Sequence, residues 1–145
     1  MNKITNPDGS TRGRIAESAT VADSAYIGPK AVISGNAVIS DNACIYDNAR
    51  VYDNACISGD ACIYGDACIH GDARISGDTY IYDNARIYGD ARIYGRAFIY
   101  GDASVYDNAS ISGSACISGS ACIYGDTRIS GNARISGTPL GTCSS

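Results

Sequence analysis

The sequence predicts an all-β chain, wound into a single-stranded parallel β-helix of about seven 18-residue coils with no helical domain. Three observations predict it. Every sixth residue from Ile15 to Ile135 is Ile or Val, without a break. Two residues before each stands a small residue: Ala in eighteen cases, Thr79 and Thr127 in two, Gly13 in one. Most hexads end in Gly-Asp, Gly-Asn, Gly-Ser or Asp-Asn. A period of six fits neither the 3.6 of a helix nor the 2.0 of a plain strand. It fits a chain that runs a short strand, turns a corner and repeats.

The elements follow in order. Residues 1–12 precede the repeat and carry the turn residues Pro7, Asp8 and Gly9, so they are expected to cap the first coil. Residues 13–138 are the repeat. In Ala61-Cys62-Ile63-Tyr64-Gly65-Asp66, positions one and three share a side, as strand geometry demands. That side, Ala and Ile, is the interior. Positions two and four point outward and vary. Positions five and six tolerate the positive φ of a sharp corner. Asp47-Asn48, Asp53-Asn54 and Asp83-Asn84 replace the Gly pairs by the same rule. Three hexads close one coil, and seven coils at ~4.8 Å make a rod roughly 34 Å long. Residues 139–145 form a tail, with Pro139 and Gly141, too short for a helical cap.

Composition excludes several classes. The net charge is −4, which is not a basic nucleic-acid footprint. No apolar run approaches the ~20 residues of a membrane span. MNKITNPDGSTRGR at the start has no apolar stretch of a secretory signal. The expected location is the cytoplasm, or a larger particle such as a phage. Six of the seven cysteines precede the aliphatic residue of a hexad. They read as small outward residues rather than a disulfide framework. Metal binding needs converging ligands, and these cysteines project from separate faces, so neither a metal nor a cofactor is expected.

Residues 18 apart stack, which turns the sequence into a surface map. One outward column reads Tyr46, Tyr64, Tyr82, Tyr100; a second reads Tyr52, His70, Tyr88, Tyr106, Tyr124; a third is mostly serine. The two tyrosine columns flank a face whose central row contains Arg50, Cys68 and Arg86. Aromatic ladders stabilise stacked strands by ~0.2–1 kcal/mol per pair. Tyr and Arg are also favoured interface anchors. These ten tyrosines and arginines are therefore the candidate binding residues, for a protein partner or for self-association as a trimer or end to end. The serine side reads as solvated. Asp columns mark the corners. Repeated carboxylates could imitate nucleic-acid phosphates and inhibit a DNA-binding protein, but the interspersed arginines weaken that reading. A flat ice-binding array is interrupted by Arg74 and Arg92.

The hexads resemble the bacterial transferase hexapeptide repeat: an aliphatic residue, a small or acidic one, two free positions, a small residue and a free one. Ile129-Ser130-Gly131-Asn132-Ala133-Arg134 is an example. Ser or Tyr at the second position departs from that pattern. The resemblance covers residues 13–138 and is strongest to bacterial and phage hexapeptide proteins, often labelled acyltransferases on the repeat alone. It implies a left-handed coil, against the usual crossover rule. It also implies an acyltransferase with a histidine general base, a donor site between subunits of a trimer, a loop breaking the repeat and a C-terminal helix. His70 is the only histidine, and no loop breaks the repeat. Carbonic anhydrases of this fold need three histidines for their metal. The sequence thus favours a non-catalytic scaffold that binds or assembles, with a His70 acyltransferase as the alternative.

Overall fold

The structure of the chain, a computed structural model, describes residues 5–135. The expected repeat end at 136–138, the tail at 139–145 and Cys143 lie outside the described residues, as do residues 1–4. Twenty-one two-residue strands recur every six residues. They run from β1 (Arg14–Ile15), β2 (Thr20–Val21) and β3 (Tyr26–Ile27) to β19 (Cys122–Ile123), β20 (Arg128–Ile129) and β21 (Arg134–Ile135). Every third strand joins one sheet, giving three parallel seven-stranded sheets. Sheet 1 holds β1 to β19, sheet 2 holds β2 to β20, and sheet 3 holds β3 to β21. Pairing is in strict 18-residue register, as in Cys68 opposite Arg86 and Ile69 opposite Ile87. The chain is a parallel β-solenoid of seven coils.

The small and aliphatic positions form one continuous core. From Ala25 to Ile123, with Thr79 in one Ala position, these side chains are sealed from solvent. Thr79 is tolerated there because its Oγ1 donates to the Ser76 carbonyl at 2.9 Å, which satisfies the buried hydroxyl. The outward residues carry the links between coils. Tyr82 N–H donates to the Ile99 carbonyl at 3.0 Å, and Asn84 N–H to the Gly101 carbonyl at 2.9 Å.

The corners show a rule that residue tolerance alone did not predict. At five of the corners without glycine the left-handed residue is Asp: Asp41, Asp47, Asp53, Asp83 and Asp107, with φ between 57° and 59°. In all five, the Asp carboxylate accepts the N–H of a glycine one coil later, from Gly59 at 3.0 Å to Gly65, Gly71 and Gly101 at 3.2 Å, with Gly125 at 3.1 Å. The bond offsets the left-handed strain of a non-glycine residue. These corner carboxylates are structural ties.

The N-terminal end is closed by two side chains. Asn6 and Arg12 are 4% and 5% exposed. The Asn6 carboxamide accepts from Ile27 N–H at 2.7 Å and donates to the Ile27 carbonyl at 2.8 Å. One side-chain amide thus stands where a peptide of a preceding coil would pair. Arg12 Nη2 donates to the carbonyls of Ala25 at 2.8 Å and Ala22 at 2.9 Å. Its Nε donates to Asn6 Oδ1 at 3.2 Å. Edge strands left unpaired invite association, and this edge is answered by side-chain donors.

One cysteine departs from expectation. Cys44, Cys56, Cys62, Cys68 and Cys116 are free, but Cys122 is disulfide-bonded and 2% exposed. The spacing argument treats all repeat cysteines as equivalent, and the last coil is not equivalent to an interior one.

Gly77 (φ +75°) tests the corner account: an added Cβ would lie 2.6 Å from the Gly95 carbonyl oxygen. Gly131 has nearly the same φ, +70°, with nothing within 4 Å. Gly131→Ala is expected to cost about 1–2 kcal/mol for the conformation alone. Gly77→Ala costs at least ~1 kcal/mol more, because backbone must move. Chemical denaturation of the two variants measures the difference.

Candidate functional site

The register places all the sequence-predicted binding residues where the column map put them. On the corner leading into sheet 1, Tyr46, Tyr64, Tyr82 and Tyr100 stack with ring centroids 5.0, 4.9 and 5.0 Å apart, within 3° of parallel. At the other edge, Tyr52, His70, Tyr88, Tyr106 and Tyr124 stack at 4.7, 5.0, 4.9 and 5.5 Å. The strand spacing of ~4.8 Å sets this ring spacing. Between the ladders, Arg50, Cys68 and Arg86 are consecutive register partners. Both arginines are exposed, while most of the ladder rings are half-buried.

Stacking has a chemical consequence. Each interior ring has both faces covered by its neighbours, so the outward groups are ring edges and hydroxyls. Burial first, then the stacked Tyr64 and Tyr100, push the Tyr82 hydroxyl above its ordinary pKa. Tyr46, Tyr52, Tyr64 and Tyr88 are raised too, with burial the largest cause. These five hydroxyls are therefore neutral at neutral pH. Tyr106 is 6% exposed, and its hydroxyl has no hydrogen-bond partner among the described residues.

His70 sits between Tyr52 and Tyr88, with both ring faces occupied. Its Nδ1 lies 3.8 Å from Asp53 Oδ2. That same oxygen accepts the Gly71 N–H at 3.2 Å. Burial lowers the His70 pKa; Asp53 opposes this and Arg86 adds to it. The imidazole is held neutral as one rung of an aromatic stack. The Cys62 thiol is not activated either: burial and then Cys44 push it up to about 11. A catalytic thiol is shifted the other way. Among the described residues, no three His, Cys, Asp or Glu side chains gather as a metal ion would require.

Two features escaped the column reading. Tyr80 and Phe98 form a third stack on sheet 3, with centroids 5.1 Å apart, and both are 37% exposed. Their signal was present in the sequence, at the second hexad position rather than the fourth. The side read as solvated serine also holds a groove of about 720 Å³. It is lined by two columns: Asn54, Asp72, Asp90, Asn108 and Asp126, beside Cys56, Arg74, Arg92, Ser110 and Arg128. The tyrosine-flanked side carries a smaller groove of about 550 Å³, lined in part by Asp66, Cys68 and Arg86.

With this geometry in hand, comparison with known proteins adds one finding. Residues 43–59 and 80–95 match the family model described as the YdcK beta solenoid repeat. No curated protein matches the chain. The matched stretches contain Tyr46, Arg50, Tyr52, Tyr82, Arg86 and Tyr88 and leave out His70. The match is to a solenoid repeat, and the transferase part of the sequence resemblance finds no counterpart in it.

His70 allows a clean test of its role as a rung. Its folded-state pKa lies below its unfolded value, so the unfolded chain takes up the proton first. The contribution of neutral His70 is present above about pH 6.5 and is lost as pH falls below it. His70→Tyr restores a continuous ladder. It is expected to stabilise the fold by up to ~1 kcal/mol at pH 8, and by more at pH 5.5, because the His70 loss is removed. Denaturant titrations of both proteins at the two pH values read the difference.

Proposed function

We propose that the chain is a non-catalytic β-solenoid scaffold whose tyrosine-flanked sheet 1 holds another protein or further copies of itself. One observation carries the reading. Two ring ladders in strict register border a row containing Arg50 and Arg86, on a repeat that, among the described residues, runs through twenty-one strands with no inserted loop. Ordered ladders present their hydroxyls with little side-chain entropy left to lose on binding. The arginines between them supply exposed, directional donors. A rigid surface of this kind suits recognition better than chemistry, which needs a moving or enclosing element.

A His70 acyltransferase is the second reading, and the Asp53 carboxylate 3.8 Å from Nδ1 is what favours it. A carboxylate beside an imidazole can orient a general base. Against it, the His70 faces are covered by rings, and its partner oxygen already accepts the Gly71 N–H.

The triple substitution Tyr64→Ser, Tyr82→Ser and Tyr88→Ser is expected to leave the coil intact by circular dichroism while abolishing partner capture in a pull-down. Unchanged capture by the folded variant would refute the tyrosine face. Steady acetyl-CoA turnover by the parent protein, lost in His70→Ala, would establish the enzyme reading in its place.

A further inference from the structure

We propose that the groove on sheet 2 is a self-recognition surface, through which two copies of this chain associate side by side with their axes parallel. The inference rests on the charge columns alone and is independent of the tyrosine face.

Along sheet 2 the second hexad position reads Cys56, Arg74, Arg92, Ser110, Arg128 down successive coils. Two residues earlier on the chain, at the corner, stand Asn54, Asp72, Asp90, Asn108 and Asp126. Wherever the strand carries Arg, the corner carries Asp. Where the strand is neutral, the corner is neutral. This Asp-x-Arg pairing occurs at 72–74, 90–92 and 126–128 and is confined to sheet 2. On sheet 1 the relation is reversed: Arg50 and Arg86 follow Asn48 and Asn84, while Asp66 and Asp102 precede Cys68 and Ser104.

These six side chains have no ion-pair or hydrogen-bond partner among the described residues. All are exposed, and ion pairs such as His70–Asp53 and Arg96–Asp78 do not include them. By contrast, Asp66 and Asp102 on the other corner of sheet 1 accept from Asn48 at 3.3 Å and Asn84 at 3.2 Å. Arg74 and Arg92 are direct register partners, so like charges lie one strand spacing apart, which is unfavourable unless anions come between them.

Symmetry selects the occupant. The two columns run along the rod, about 6–7 Å apart. A two-fold axis parallel to the rod, between the columns, exchanges them. It places Arg74, Arg92 and Arg128 opposite Asp72, Asp90 and Asp126 of the second copy, and Ser110 and Cys56 opposite Asn108 and Asn54. Six ion pairs form, and neutral meets neutral. An antiparallel pair would set Arg against Arg. The same parallel operation on sheet 1 would place Arg50 and Arg86 opposite asparagines. A polyanion would meet the Asp column and a polycation the Arg column, so the surface fits its own copy. The contact is isologous and closed. It leaves the Tyr46 ladder, at the far edge of sheet 1, outside it.

Exposed ion pairs are individually weak and screened by salt. Sedimentation equilibrium on the full chain is therefore expected to show twice the 15.0 kDa chain mass at low salt. Dissociation should be at least ~tenfold easier at 1 M salt. Asp72→Arg with Asp90→Arg and Asp126→Arg should be monomeric, as should Arg74→Asp with Arg92→Asp and Arg128→Asp. An equimolar mixture of the two variants should restore the dimer. In Asn54→Cys, the introduced thiol should cross-link to Cys56 of the second copy, as mapped by peptide mass. A monomer at every salt concentration, or a dimer that survives both charge reversals, would overturn the surface. A cross-link from position 54 to the opposite end of the second copy would overturn the parallel arrangement. The Tyr64/Tyr82/Tyr88 variant should still dimerise, which separates this surface from the tyrosine face.

Discussion

Everything in this fold depends on one constraint: the strand backbone of a coil is satisfied by the coil beside it. Tyr64 N–H reaches the Ile81 carbonyl at 3.0 Å, and Tyr82 N–H reaches Ile99 at 3.0 Å, 18 residues further on. An unpaired buried backbone group costs about as much as a lost hydrogen bond. Eighteen residues per turn is therefore enforced at every rung, and a one-residue slip would turn Ile outward and Tyr inward. The core follows from this register, with Ala and Ile stacking on Ala and Ile from Ala25 to Ile123. The corners follow too. Coils this close leave room for a positive-φ glycine, or for an Asp that is tied to the next coil's glycine.

The same constraint makes the surface periodic and therefore chemical. Any residue type that recurs at 18 becomes a ladder at strand spacing. Tyrosine recurring gives stacked rings with covered faces, as at Tyr64, Tyr82 and Tyr88. A histidine in that series inherits the environment of a rung, which is why His70 is neutral and sandwiched. Arginine recurring beside aspartate gives two adjacent, exposed charge columns of opposite sign. The three sheets share one backbone plan and differ in what those ladders present.

Periodic features were legible in the sequence, because repetition at fixed spacing is the signal itself. Ile63, Ala61, Tyr64 and Arg86 all take the positions their columns imply. Features that do not repeat left no such signal. Asn6 and Arg12 precede the first hexad, and only three-dimensional proximity to Ile27, Ala22 and Ala25 shows their part in closing the edge. The tie from Asp53 to Gly71 links two corner types that the sequence shows as interchangeable. The Arg74 and Arg92 face lies beside the serine column, whose polarity alone points to a solvated side. The Asp-x-Arg triplets were visible, but their meaning required knowing that three of them share one sheet. The disulfide at Cys122 was hidden by the uniform spacing of the repeat cysteines.

Native cysteines offer the most direct measurement of the register itself. Cys44 and Cys62 are paired in register on sheet 3, and both are free. Cys56 and Cys68 stand on sheets 2 and 1. A short bifunctional thiol reagent, followed by peptide mass mapping of the monomer, reads which cysteines are neighbours. The 18-residue coil predicts Cys44 joined to Cys62. A dominant link from Cys44 to Cys56 or to Cys68 would contradict that register, and with it every ladder and charge column that the register builds.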